Sequence, residues 1–207
     1  MIDRMRSSFA PRTAVFAALL LLAAALGAQA PAAPGTQTPA AQRQEQAPFA
    51  RNQEWKTYSF PADGFSASYP SEPAMQKKNI STDAGSFELR AYLAEDPPAV
   101  MFIGVCDYGA AVAGRNPETV LEGAQKGAIA NVSGHLVSGE KITLGVYPGV
   151  AFETENETLH FSARAYLVGT TLYQTILAYP IGKPYEGTTR FLDSFQLIAR
   201  VSGAATP

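Results

Sequence analysis

Cysteine is almost missing from this 207-residue chain: Cys106 stands alone. No intrachain disulfide can brace the fold, so stability has to come from an ordinary core. Histidine is nearly as scarce, with only His135 and His160, which leaves few groups that could move protons near neutral pH. No G-x-S-x-G turn occurs, because Gly64-Phe65-Ser66-Ala67-Ser68 fails at its last position. There is no block of basic residues either. Sixteen Lys and Arg stand against eighteen Asp and Glu, for a net charge of −2. That balance gives no electrostatic footprint for nucleic acid and no basic amphipathic helix to hold the chain on an anionic membrane. The longest apolar run, Ala14–Leu26, has 13 residues, short of the ~20 that a permanent span needs.

What is present at that end is an address. Arg4, Arg6 and Arg12 precede the apolar run, and Ala28-Gln29-Ala30 follows it with small residues. This is the layout of a secretory signal peptide over residues 1–30, with cleavage expected after Ala30. An uncleaved anchor is the alternative. No cysteine follows the run to carry a lipid, and the arginines are never adjacent, so lipid attachment and twin-arginine export are not indicated. The expected location is periplasmic or secreted, with no stable membrane span after cleavage. Loss of the leader removes three arginines and Asp3, leaving 13 basic and 17 acidic residues and a charge of −4.

Residues 31–53 are dominated by Pro, Ala, Gln and Thr. Such a segment buries too little apolar surface to offset the entropy of ordering it, and it reads as a flexible linker. Residues 54–200 form one domain of 147 residues, long enough to bury about two-thirds of its unfolded surface. Residues 201–207 read as a frayed tail.

Within the domain, Trp55–Phe60 reads as a strand ended by the turn Pro61-Ala62-Asp63-Gly64. Phe65–Tyr69 alternates apolar and polar and reads as a half-buried strand. Lys77–Ser81 and Ser86–Leu93 flank Asp83-Ala84-Gly85 as a hairpin. Ala99–Cys106 is apolar throughout, which suits a strand covered on both faces. Asn116-Pro117-Glu118 opens a helix with a cap, a proline at the first turn and an acid. Val120, Leu121, Ala124, Ala128 and Ile129 form its apolar stripe, and Asn131–Gly134 ends it. Leu136–Leu144, Gly149–Thr154, Leu159–Val168 and Leu172–Tyr179 read as strands. A short helix around Glu186–Asp193 precedes a last strand, Phe195–Ala199. The fold class is α+β: a layered domain with an antiparallel sheet of about seven to nine strands and two helices, something lying on each side of Ala99–Cys106.

Several of these segments also resemble a known family. Trp55 and Tyr58 lead to Gly64-Phe65-Ser66 and Tyr69-Pro70; later come Tyr147-Pro148-Gly149, Arg164-Ala165-Tyr166-Leu167-Val168-Gly169 and Leu172-Tyr173. The domain closes on Arg190-Phe191-Leu192-Asp193-Ser194-Phe195. This order resembles exported bacterial proteins of the PsbP-like, Mog-type α/β/α sandwich family. The resemblance implies helices on both sides of an antiparallel sheet. The better-known members are accessory and binding proteins, among them an extrinsic photosystem subunit and a Ran-binding import factor. No ligand residue of the family matches onto this chain.

Three constellations bear on chemistry. Glu153, Glu155, Glu157 and His160 are the densest set of potential metal ligands. Carboxylates two apart on a strand share a side, but a hard cation usually needs six or more oxygens, and a solvated hairpin tip explains the same residues. Cys106 ends the most apolar strand and reads as a buried, inert thiol. Finally, Gly169-Thr170 as a two-residue turn sets His160 opposite Tyr179, Arg164 opposite Thr175 and Tyr166 opposite Tyr173. His160, Arg164, Tyr166 and Tyr173 then share one face, a candidate partner-facing patch of the kind seen at binding hot spots. The alternative is that a helix covers that face, with Tyr hydroxyls and Arg reaching the rim. No catalytic residue, cofactor or metal ligand is assigned. The expected function is a non-enzymatic exported binding or accessory module for an envelope protein or small ligand; an envelope hydrolase or metal-binding protein using His160 and nearby acids is the alternative.

Overall fold

The computed structural model describes residues 54–82 and 85–201. The leader, the linker and residues 202–207 of the tail lie outside them, as do Asp83 and Ala84 of the first hairpin turn. Among the described residues no helix is long and apolar enough to cross a membrane.

Strands β1 (Lys56–Phe60) and β2 (Phe65–Tyr69) form a hairpin around the expected turn. Next come β3 (Ala74–Thr82), β4 (Gly85–Asp96) and β5 (Ala99–Asp107) as an antiparallel meander. Helix α1 (Pro117–Asn131) starts where the sequence says it should: the Asn116 side chain accepts from Glu118 N at 2.9 Å, and Pro117 needs no hydrogen bond in the first turn. Strands β6 (His135–Leu144), β7 (Tyr147–Glu155), β8 (Leu159–Val168) and β9 (Thr171–Pro180) follow as hairpins. Helix α2 (Thr188–Asp193) and the two-residue β10 (Gln196–Leu197) complete the described chain.

The strands divide into two sheets. Seven form a sheet in the order β3-β4-β5-β9-β8-β7-β6, and three form a small sheet in the order β1-β2-β10. The division differs from the single sheet expected, because β2 recruits β10 from the far end of the domain, pairing Ser66 with Gln196. It also corrects the reading of β2 as half-buried. Phe65, Ala67 and Tyr69 are fully buried and Ser66 is 6% exposed, since this strand is central in its own sheet and lies against the large one.

Strand β5 sits near the middle of the large sheet, and its two faces feed two cores. Met101, Ile103 and Val105 pack with Phe65, Tyr69, Phe191 and Phe195, while Cys106 packs with Val120, Leu121 and Ala124 of α1, and Phe102 with Ala128. The two-sided burial expected for Ala99–Cys106 is therefore what the structure shows. The antiparallel α+β character holds as well. On the second face, however, the cover is mainly the small sheet, to which α2 adds Phe191 and Leu192, rather than a full helical layer.

Cys106 is 3% exposed, and burial pushes its thiol up to about 11. A thiol-disulfide reagent at pH 8 is expected to leave the folded protein unlabelled and to react fully once denaturant is added. Labelling of the native state at a free-thiol rate would contradict this burial.

Candidate functional site

The small sheet and α2 cover only part of their face of the large sheet. Toward the β6 edge Ile142 and Leu144 still pack against this cover, and the expected register of the β8–β9 hairpin holds. His160 pairs with Tyr179, Arg164 with Thr175, Tyr166 with Tyr173, and Val168 with Thr171. Gly169 takes the positive φ (+61°) that so tight a reversal requires.

The four residues of the expected patch thus share one face but meet different surroundings. Tyr166 and Tyr173 are 4% and 1% exposed. Phe195 lies over both, with ring centroids at 5.7 Å from Tyr166 and 5.6 Å from Tyr173. Arg164 and His160 stay closer to water. Arg164 donates to Asp193 Oδ1 at 2.5 Å and to Leu192 O at 3.2 Å, which ties β8 to α2. A cleft of about 410 Å³ opens beside it, lined by Glu140, Ala151, Glu153, Arg164, Tyr166 and Thr189 among others. Tyr173 belongs to the wall-to-wall core behind this cleft and does not line it.

His160 stands between two acids. Its Nδ1 lies 2.8 Å from Glu155 Oε1 and its Nε2 lies 2.6 Å from Glu153 Oε2. Ser162 donates its hydroxyl to the same Glu153 oxygen at 2.7 Å, and the ring stacks on Tyr179 at 5.0 Å. Glu157, the fourth member of the expected cluster, is exposed on the β7–β8 turn. That turn is organised instead by Asn156, whose Oδ1 accepts from Leu159 N at 2.8 Å while its amide donates to Val132 O at 3.1 Å. His135 pairs with Glu155 in register. Among the described residues no three His, Cys, Asp or Glu are grouped so as to hold a metal ion.

A neutral imidazole donates through one nitrogen only, so a carboxylate oxygen against each nitrogen favours the imidazolium form. Partial burial disfavours that charge, but the hydrogen bonds to Glu155 and Glu153 outweigh it and the pKa is raised. A raised folded pKa means that the stabilisation is complete below the unfolded value of about 6.5 and disappears as pH rises through the folded value. Urea midpoints measured from about pH 6 to pH 9 should therefore fall more steeply for the natural chain than for His160→Gln. Parallel curves would contradict the geometry.

A second polar constellation, behind the site, has no counterpart in the sequence reading. The Asp63 carboxylate, 3% exposed, receives Arg90 Nε on one oxygen and the Tyr92 hydroxyl on the other. The Tyr173 hydroxyl donates to Asp63 O at 2.7 Å and accepts from Arg200 Nη2 at 2.9 Å. Gly64 takes φ +73°, and a side chain there would come within 2.6 Å of Arg200 Cγ. Asp63 was legible only as a turn residue; its partners stand 27 and 29 positions away.

No protein-family model matches this chain, and no curated protein matches it. Among solved structures it is similar to cyanobacterial PsbP (CyanoP) from Synechocystis sp. PCC 6803, known from a solution structure. The identity is 11% over 74% of this chain and 98% of that one, with a TM-score of 0.49. It is also similar to a crystal structure from Bacteroides thetaiotaomicron VPI-5482, at 15% identity over 73% of this chain and 51% of that one, with a TM-score of 0.38.

Proposed function

We propose that this chain is a non-catalytic accessory module of the cell envelope, holding a partner protein or small ligand at the open end of its large sheet. The observation that carries the reading is the state of His160. With a carboxylate oxygen within hydrogen-bond distance of each nitrogen, both polar atoms of the ring are already engaged inside the protein, and His160 does not line the cleft. The buried Cys106 offers no nucleophile. What the same end does offer is recognition chemistry: a fixed guanidinium, a phenol edge, hydroxyls and carboxylates around one cleft.

The exported character rests on residues 1–30, and the linker 31–53 is read as the tether that separates domain 54–200 from the membrane side. The small sheet with α2 is read as the second outer layer of the sandwich that the family resemblance implies. Of the expected patch, Arg164 and His160 are the members available to a partner, with Tyr166 shaping the floor.

Position-specific photocrosslinking tests the reading. A photoreactive residue at Thr189, on the cleft wall, should give a discrete adduct in the cell that makes the protein. The same residue at Lys78, on the far edge strand, should not give it. No adduct at Thr189, or the same adduct from both positions, would count against a docking function at this end.

A further inference from the structure

Among the described residues the large sheet ends in β6, which pairs with β7 alone. Residues His135–Lys141 of this strand are all exposed, and its outer edge presents backbone donors and acceptors to solvent. From Ser138 to Leu144 the register with β7 is regular; the irregularity is confined to Leu136–Ser138. An added strand would therefore find a straight template of about six residues.

Clefts flank that template on both faces, and their chemistry differs. Between β6 and α1 runs a groove of about 480 Å³ whose apolar lining includes Leu121, Leu136, Pro148 and Val150. The charges at its rim are matched internally: Lys141 meets Glu118 at 2.7 Å, and Lys126 meets Glu122 at 3.5 Å. On the opposite face Glu153 and Glu155 meet His160, and Asp193 meets Arg164. Glu140, paired in register with Ala151, borders both clefts and has no ion pair among the described residues. The α1 side of the edge is largely apolar, and Glu140 leaves an unmatched negative charge along it.

We infer that β6 accepts an extended segment of a partner protein in which apolar residues alternate with Lys or Arg. Strand addition supplies main-chain hydrogen bonds, and the alternation of side chains sends apolar groups to the α1 groove and cations to Glu140. A second copy of this chain fits less well. A two-fold that pairs β6 with itself keeps each face on its own side, and so brings a second unmatched Glu140 to the same edge. The inference deepens the accessory reading by naming the partner's chemistry, and it rests on that reading.

The test uses the 15N-labelled full chain and a blocked heptapeptide, Val-Lys-Val-Lys-Val-Lys-Val, with its Val/Glu counterpart as control. The Lys peptide should bind with a Kd below about 1 mM and slow amide exchange within residues 139–144. The Glu peptide and the Glu140→Lys variant should each weaken binding by about tenfold or more. Equal binding of both peptides, protection confined to the β3 edge, or a β6-protected dimer in sedimentation would overturn the inference. The two failures are separable. If the peptide does not bind but the Thr189 adduct forms, the accessory reading stands and the strand-addition inference falls. If the peptide binds at β6 and no adduct forms, docking at the Thr189 cleft is what fails, and the accessory site is the β6 edge itself.

Discussion

Replacing Asp63 by Ala should destabilise the domain by about 3 kcal/mol, the lower end of what removing one member of a buried ion pair costs. The carboxylate is the acceptor for both Arg90 and the Tyr92 hydroxyl. Its removal leaves a hydroxyl of the core without its acceptor, and a guanidinium, its side chain 20% exposed, with only Glu88 Oε1 at 3.3 Å. Arg90 can reach some water, which keeps the effect below the extreme. The phenol cannot, so it bears most of the loss. Against a total stability of roughly 5–15 kcal/mol, this should lower the urea midpoint by roughly 1–3 M. Asp63→Asn, which keeps one acceptor and one donor on the same skeleton, should fall between the two. A midpoint for Asp63→Ala within error of the natural chain would mean that the node contributes nothing net.

Phe65→Ala is expected to cost about 3–5 kcal/mol. Phe65 is fully buried, and its ring meets Phe60 at 4.9 Å, Tyr92 at 5.0 Å, Phe195 at 5.7 Å and Tyr173 at 6.4 Å. It is the side chain through which the small sheet, the last residues of the domain and the large sheet meet. Loss of near-ultraviolet dichroism should accompany the fall in unfolding midpoint. Phe65→Leu should recover most of it, since volume is largely kept. Because Asp63 and Phe65 share Tyr92 and Tyr173 as neighbours, the double variant should cost less than the sum of the singles. Strict additivity would show that the polar node and the aromatic core are independent.

How much of this could be read from residues alone depends on how local each feature is. The cap of α1 was legible because Asn116, Pro117 and Glu118 act on their own turn. The β8–β9 register was legible because a two-residue turn leaves one pairing, and every partner then follows by counting. Burial of β5 on both sides was legible from an unbroken apolar run, since water on either face would make that composition costly. The partition into two sheets was not. The pairing of β2 with β10 joins residues on opposite ends of the domain, and alternation within a five-residue strand says nothing about its neighbours.

The same limit applies to the candidate site. The face carrying His160, Arg164, Tyr166 and Tyr173 followed from turn geometry, but its cover did not. Phe195 reaches Tyr166 and Tyr173 through the chain reversal after α2, and no periodicity signals that contact. The Glu153–His160–Glu155 arrangement was half legible. Spacing put both acids on one side of β7, and the hairpin brought His160 to them. That each acid would take one ring nitrogen required coordinates. The exposure of β6 was invisible for another reason: nothing within His135–Leu144 states whether another strand lies beyond it, and only the sheet order does.

The large sheet is sealed on both sides at β5 and left open at β6. Native-state amide hydrogen exchange on the full chain measures both halves at once. Amides from Met101 to Val105 should exchange only through global unfolding, while those from Gly139 to Leu144 should exchange through local opening at a much lower free energy. Equal protection of the two strands, or faster exchange in β5 than in β6, would contradict the account.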